Sequence, residues 1–267
     1  MACRIATTRT TRFACAVGAA LVAALIFCDP ARAQAAQPSP LSKACQSGSA
    51  ALGAQSPLPN VAAALAQRKD LRILTMGAAP GHVTAHGGGY TELIEVMLEN
   101  ALKGTDVIMI NRGVSGELAA GAATRMKNEV ALDEPDLVLW QVGTNDALAY
   151  VDAQEFAATV KDQIDWLKRH KVDVVLVGLQ FAPQMLRDAH YIEIRDSLRR
   201  LAVQENVIVI RFFEAMQIVE QTAREGAMPV ADEFERSEAG YNCLAQYVAR
   251  AITLGVFAKS MPSRPRP

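Results

Sequence analysis

The chain contains no Gly-x-Ser-x-Gly element and no Gly-Lys-Ser/Thr phosphate loop. The first absence leaves a nucleophile elbow without a motif. The second leaves a nucleotide role unsupported for the glycine-rich residues 77–89. There is no internal repeat, and no dense run of metal-ligand residues at regular spacing; neither a solenoid nor a resident metal or other cofactor is indicated. Charge of either sign is not in excess, with 27 Lys and Arg against 28 Asp and Glu. That balance lacks the basic footprint of a nucleic-acid binder. Cysteine is scarce, five in 267 residues. One apolar run stands near the start and no second one follows, so no stable membrane span is expected once that run is removed.

That run is the centre of a secretory leader. Arg4, Arg9 and Arg12 supply a basic start, residues 13–27 are almost unbroken in apolar character, and Ala31-Arg32-Ala33 is a small-x-small cleavage pattern. Bulky Phe27 before Cys28 does not suit a lipidation site. Cleavage after residue 33 removes four arginines and Asp29, so Lys and Arg fall from 27 to 23, Asp and Glu from 28 to 27, and the net charge becomes −4. A periplasmic or secreted location is expected. Cys3, Cys15 and Cys28 leave with the leader, while Cys45 and Cys243 remain. Two cysteines in an exported chain predict one disulfide, the alternative being two separate buried thiols. Chain entropy allows such a long loop about 4–5 kcal/mol at most. Residues 34–59, rich in Ala, Gln, Ser and Pro, read as a linker or loosely held arm, and residues 258–267 as a disordered tail. Residues 60–257 suffice for one α/β domain with a real core.

Within that domain short apolar runs alternate with longer amphipathic ones. Strands are predicted at 71–76, 107–110, 137–142, 172–179 and 207–212, each nearly continuous in apolar residues, as strands buried on both faces should be. Helices are predicted near 90–102, 117–131, 153–169, 189–204, 214–225 and 238–254. Asp152 with Glu155 has the form of a capping box, Lys103-Gly104 closes a helix, Pro135 separates a helix from the third strand, and Ser237 is placed to cap the last helix. The expected fold is a three-layer α/β/α sandwich around a five-stranded parallel sheet in the flavodoxin-like order 2-1-3-4-5. Ligands in such folds bind beyond the carboxyl ends of the strands, where the loops 77–89, 111–116 and 143–150 would lie.

Those loops carry Gly77-Ala78-Ala79, Asn111-Arg112-Gly113 and Gly143-Thr144-Asn145-Asp146, and Asp232-Glu233-Phe234-Glu235 follows later. Over roughly residues 70–250 the order and spacing resemble the SGNH/GDSL hydrolases, a family of esterases and lipases. The resemblance implies a nucleophilic Ser at the end of the first block and a base His at the end of the last. Here Ala79 stands at the nucleophile position and Glu235 at the His position, with Asp232 matching the aspartate. The run Ser237-Glu238-Ala239-Gly240-Tyr241 resembles the family's helix start and fixes that register. The family's oxyanion hole maps onto the Ala79 N–H, Gly113 and Asn145. Ala79 cannot be acylated, and a carboxylate at Glu235 cannot both accept and donate as imidazole does.

The resemblance therefore implies a protein of ester-hydrolase lineage, its ancestral substrate an O-acyl ester on a carbohydrate or lipid, with an impaired catalytic set and a pocket suited to an acyl carbonyl or carboxylate. Two other readings stay open. One is a working esterase with Ser115 as relocated nucleophile and His82 or Glu235 as base; Ser115 also reads as a turn serine, and His82 as an exposed loop histidine. The other is an envelope protein that binds a partner and keeps a vestigial pocket. Asp146, Asp232 and Glu235 could cluster as carboxylates, or lie solvated in an inherited pocket. Trp140 and Trp166 read as core residues. His170 ends a helix, where a cation suits the dipole, and His190 begins one.

Overall fold

The computed structural model describes residues 40–46, 56–68, 70–77, 89–181, 183–224 and 233–258, with the backbone alone at 44, 183, 223 and 233–237. Five strands form a parallel sheet in the order β2-β1-β3-β4-β5. They are β1 (Asp70–Gly77), β2 (Asp106–Asn111), β3 (Leu137–Gln141), β4 (Asp173–Val177) and β5 (Ile208–Ile210). The helices are α1 (Lys43–Gln46, a single turn), α2 (Pro59–Gln67), α3 (Tyr90–Ala101), α4 (Ala119–Asp133), α5 (Thr144–Leu148), α6 (Ala153–Arg169), α7 (Ala189–Glu205), α8 (Phe212–Arg224) and α9 (Glu233–Phe257). A short 3-10 segment, Pro183–Arg187, precedes α7. Among the described residues no helix is long and apolar enough to cross a membrane.

Strand alternation sends side chains to two faces. Leu71, Ile73, Leu137, Leu139, Val175, Val177, Ile208 and Ile210 join α3, α8 and α9 in one core. Leu74, Met76, Val138, Trp140, Val174, Leu176 and Val209 join α4, α6 and α7 in the other. The three-layer sandwich and its strand order are those read from the sequence. Trp140 is fully buried, as expected, and Trp166 is partly buried against the same core. The edge strand β2 departs from the expectation of two buried faces, since only Val107 of its six residues is buried. It has a neighbour on one side alone, so apolar composition there exceeds actual burial.

The ends of several elements also differ. The fourth and fifth strands are shorter than their apolar runs: Val172, Leu179 and Phe212 are buried without being paired strand residues. Apolar runs report burial, and burial continues past the ladder. Asp152 caps α6 as expected, its carboxylate accepting from the Gln154 and Glu155 N–H groups. Ser237 does not cap the last helix, which already begins at Glu233; nothing between those residues breaks helical geometry. The stretch 34–59 holds fixed points: Cys45, Ser56 and Leu58 are buried, and α2 starts at Pro59. Asp173, at the start of β4, holds α2 by accepting from the Asn60 and Val61 N–H groups at 2.9 and 3.0 Å.

Cys45 and Cys243 form a disulfide, with Cα atoms 5.4 Å apart across 198 residues of sequence. It joins α1 to α9, as the cysteine count predicted. Both ends are buried, and the Tyr247 hydroxyl donates to the Cys45 carbonyl at 2.6 Å. Thiol titration of denatured, unreduced protein lacking residues 1–33 should find no free thiol. The double substitution Cys45→Ser, Cys243→Ser should lower unfolding stability by about 2–5 kcal/mol. Two titratable thiols in the unreduced protein would contradict the bridge.

Candidate functional site at the carboxyl edge of the sheet

Two glycines shape this edge. Gly77 ends β1 at φ 84°, and a Cβ there would stand 1.8 Å from the Gln141 carbonyl oxygen of β3. Gly143 precedes α5 at φ 103°, and a Cβ there would approach Leu179 Cδ1 to 2.7 Å. Any side chain at either position collides with its neighbour, so both blocks require glycine. The close approach of β1 and β3 brings the carboxyl ends of both strands together.

The loop after β2 is tied first to β1. Arg112 and Val114 donate their N–H groups to the Thr75 and Gly77 carbonyls, each at 2.9 Å. Asn111 Oδ1 accepts from Thr75 Oγ1 at 3.2 Å and from the Gly113 N–H at 3.0 Å. The Gly113 N–H is thus engaged within its own loop. Gly116, at φ 78°, forms the next turn of that loop. Arg125 of α4 grips the loop from outside. Its guanidinium bonds both Glu117 oxygens at 3.0 and 2.9 Å, the Arg112 carbonyl at 2.7 Å, and Glu129 at 3.2 Å. Glu129 in turn binds Arg112 at 3.0 Å. A bidentate guanidinium pair fixes direction as well as distance.

The third block closes on the same loop. Asn145 Nδ2 donates to the Glu117 carbonyl at 3.0 Å. An Asn amide has two N–H donors, and this is the bond that Nδ2 makes among the described residues. Asp146 Oδ1 accepts from the Ala119 N–H at 2.9 Å and so caps α4. Asp146 is buried, and among the described residues its Oδ2 has no hydrogen-bond partner. Burial raises its carboxyl pKa, against hydrogen bonds that pull it down. Thr144 Oγ1 accepts from the Gln180 N–H of the loop after β4 at 3.0 Å. Gln180 Nε2 donates to the Tyr241 hydroxyl on α9 at 3.1 Å, and burial pushes that phenol up to about 12. The Tyr241 ring lies 5.9 Å from that of Tyr90, the first residue of α3.

The described structure therefore brings together the second and third blocks and Tyr241 of the last. Ala79, His82 and Asp232 lie outside the described residues. Glu235 lies in the first turns of α9, where the backbone alone is described. Ser115 is exposed near the tip of the second loop. His170 and His190 are engaged elsewhere. His170 stacks on Trp166 with ring centres 3.8 Å apart, and His190 on Tyr150 at 5.2 Å. Arg125 and Gln180 were not singled out in the sequence. The spacing of Arg125 and Glu129 carries the one legible signal, an i,i+4 pair.

Asp146 gives a direct test of this construction. Asp146→Asn keeps an acceptor for the Ala119 N–H and removes a buried charge. At pH 7 it should match or exceed the native protein in stability, whereas Asp146→Ala should cost about 1–3 kcal/mol. Because the folded carboxyl has a raised pKa, the native protein loses stability as pH rises through that value. The advantage of the Asn variant should therefore shrink as pH falls from 7 toward about 4 and change no further below that. Denaturation midpoints at both pH values check this. An Asn variant as weak as the Ala variant at pH 7 would show that the charge itself stabilises.

A family model for the non-GDSL lipase-like family matches residues 44–258. Among curated proteins, the chain is 26% identical to an esterase, TesA, of Pseudomonas aeruginosa over 140 residues, which are 52% of this chain and 67% of that protein. It is 27% identical to an arylesterase of Vibrio mimicus over 124 residues, 45% of this chain and 58% of that one. The matched stretch thus spans about two thirds or less of these relatives' own length. The crystal structure of TesA superposes with a TM-score of 0.52 at 19% identity, covering 67% of this chain and 97% of that one. A lipase/acylhydrolase from Enterococcus faecalis gives 0.54 at 22% identity, covering 68% and 95%. These likenesses show the shared fold. With four-fifths of its length matched, the chain belongs to the non-GDSL lipase-like family, within the SGNH/GDSL-like hydrolases.

Proposed function

We propose that this protein is an exported member of the ester-hydrolase lineage in which the catalytic set is impaired and the pocket binds a ligand. The observation that carries this reading is the pair of residues at the family's nucleophile and base positions, Ala79 and Glu235. Alanine has no hydroxyl to attack a carbonyl. Glu235 beside Asp232 would add like charge in place of an imidazole that accepts and then returns a proton. The scaffold around them supports binding. Of the two Asn145 amide N–H groups, one bonds the Glu117 carbonyl among the described residues. The Gly113 N–H, which matches the family's second donor, is bonded to Asn111 Oδ1. An acyl carbonyl or a carboxylate, borne by a carbohydrate or lipid ester, is the ligand class that such donors suit. Residues 1–33 would direct export to the periplasm or beyond the cell and be removed.

Hydrolysis of p-nitrophenyl acetate tests the proposal. The native protein should exceed background only slightly. Ala79→Ser with Glu235→His should restore measurable turnover, and either substitution alone should not, because nucleophile and base act as a unit. Efficient native hydrolysis that Ser115→Ala abolishes would replace this reading with an active esterase whose nucleophile sits in the second loop.

A further inference from the structure

The sheet ends at β2 on one side, and no strand of the described residues lies beyond it. The bonds to β1 show which backbone groups face outward. Thr75 pairs with Asn111, and the Arg112 and Val114 N–H groups donate to the Thr75 and Gly77 carbonyls. Alternate residues of a parallel strand bond to a given neighbour, so Ile108, Ile110 and Arg112 turn their backbone to β1. Val107, Met109 and Asn111 turn theirs outward. The Val107 N–H accordingly reaches Glu99 Oε1 at 3.3 Å. On this alternation the Val107 carbonyl, both Met109 groups and the Asn111 N–H are left unpaired among the described residues. Native sheets blunt such an edge with charge, proline or a bulge. Val107-Ile108-Met109-Ile110 has neither charge nor proline, and no residue of β2 has a positive φ.

The two faces beside this edge differ. On one, α4 lies over β1 and against α6, and Ile108 and Ile110 are only half-buried. Over the other lies α3. Its Ile94, Leu98 and Ala101 are buried, its Leu93 and Met97 pack on the core, and Met97 and Ala101 face Gln246 and Ala249 of α9. Helical spacing then puts Glu95 and Glu99 on the flank away from α9, above the open edge. The contact from Glu99 to the Val107 N–H agrees with that placement. Among the described residues neither Glu95 nor Glu99 forms a salt bridge.

These carboxylates decide between occupants. A second copy paired edge to edge would set Glu95 and Glu99 of both molecules against each other, and an acidic strand would meet the same repulsion. A basic strand finds its counter-charges in place. We infer that the β2 edge takes up an extended segment of another protein as a further strand, with basic side chains toward Glu95 and Glu99 and apolar ones toward Ile108 and Ile110. Main-chain bonds to Val107, Met109 and Asn111 supply the pairing, and side chains on alternate faces set the preference. Binding here neither needs nor excludes a ligand in the proposed pocket at the carboxyl edge.

A fluorescent peptide of alternating Lys and Val, as long as the six residues of β2, is the probe. Its anisotropy should rise saturably with the native protein. A peptide of alternating Glu and Val should bind at least about tenfold more weakly. So should the Lys–Val peptide with methylated amide nitrogens, which keeps its charge and loses its donors. Glu95→Lys with Glu99→Lys should reverse the preference between the two peptides. Met109→Pro removes an outward N–H at an edge, where proline is tolerated, and should weaken the Lys–Val peptide severalfold. If that variant fails to fold, the methylated peptide carries the same test. No saturable binding of the Lys–Val peptide would overturn the inference. So would equal binding of its methylated form, or a preference that the double Glu substitution leaves unchanged. A native dimer that Met109→Pro splits would put a second copy on the edge and overturn it as well.

Discussion

Two adjacent residues on one short helix hold the candidate site together. Asn145 binds the Glu117 carbonyl and Asp146 binds the Ala119 N–H, so the exit of β3 fastens the whole connection from β2 to α4. Everything else at this edge depends on that join. Arg125 and Glu129 brace the same connection from the solvent side. Thr144, one residue before Asn145, passes the constraint to Gln180 and through it to Tyr241 of the last helix. The bonds are short and mutually supporting, and the buried carboxyl of Asp146 sits at their centre with one oxygen unpartnered among the described residues. Such a network is unforgiving of partial loss, because each member left alone is a buried polar group.

This arrangement would let a family keep its fold while its chemistry changed. The residues that build the edge are Gly77, Gly143, Asn145, Asp146 and the Arg125 cluster. None of them is the group that attacks a carbonyl or relays a proton. Gly77 is required because a Cβ would meet the Gln141 carbonyl, and Gly143 because a Cβ would meet Leu179. The partners in these contacts are Gln141, Leu179, Glu117 and Ala119, none of them residue 79 or residue 235. The sheet and its loop ties are therefore compatible with an alanine and a glutamate in those places. Selection for binding alone would preserve the scaffold and release the reacting groups.

The sheet order and both helical layers were legible in the sequence because the strands are short apolar runs and the crossovers are amphipathic. The blocks were legible because Gly77, Asn145 and Tyr241 hold geometry that few other residues can. Less could be read where the determinant lies far along the chain. The helix α2 has no local cap; Asp173 supplies it from 113 residues away. The alanine-rich sequence before it resembles a linker for that reason. The engagement of Gly113 by Asn111 depends on a side-chain rotamer that spacing does not encode. Gln180 has no sequence signal at all, since its role comes from the meeting of the β4 loop with α5 and α9. The start of α9, residues 233–237, differs from the reading at Ser237, a good capping residue that lies inside a helix already under way.

The central proposal is that the site keeps the Asn145 donor and lacks a nucleophile at residue 79. Exposure of the purified protein to a fluorophosphonate probe, followed by intact-mass measurement, tests it most directly, because the probe modifies only an activated nucleophile. The account predicts an unmodified mass under conditions that label an active serine esterase completely. A single adduct mapped to Ser115 would contradict it.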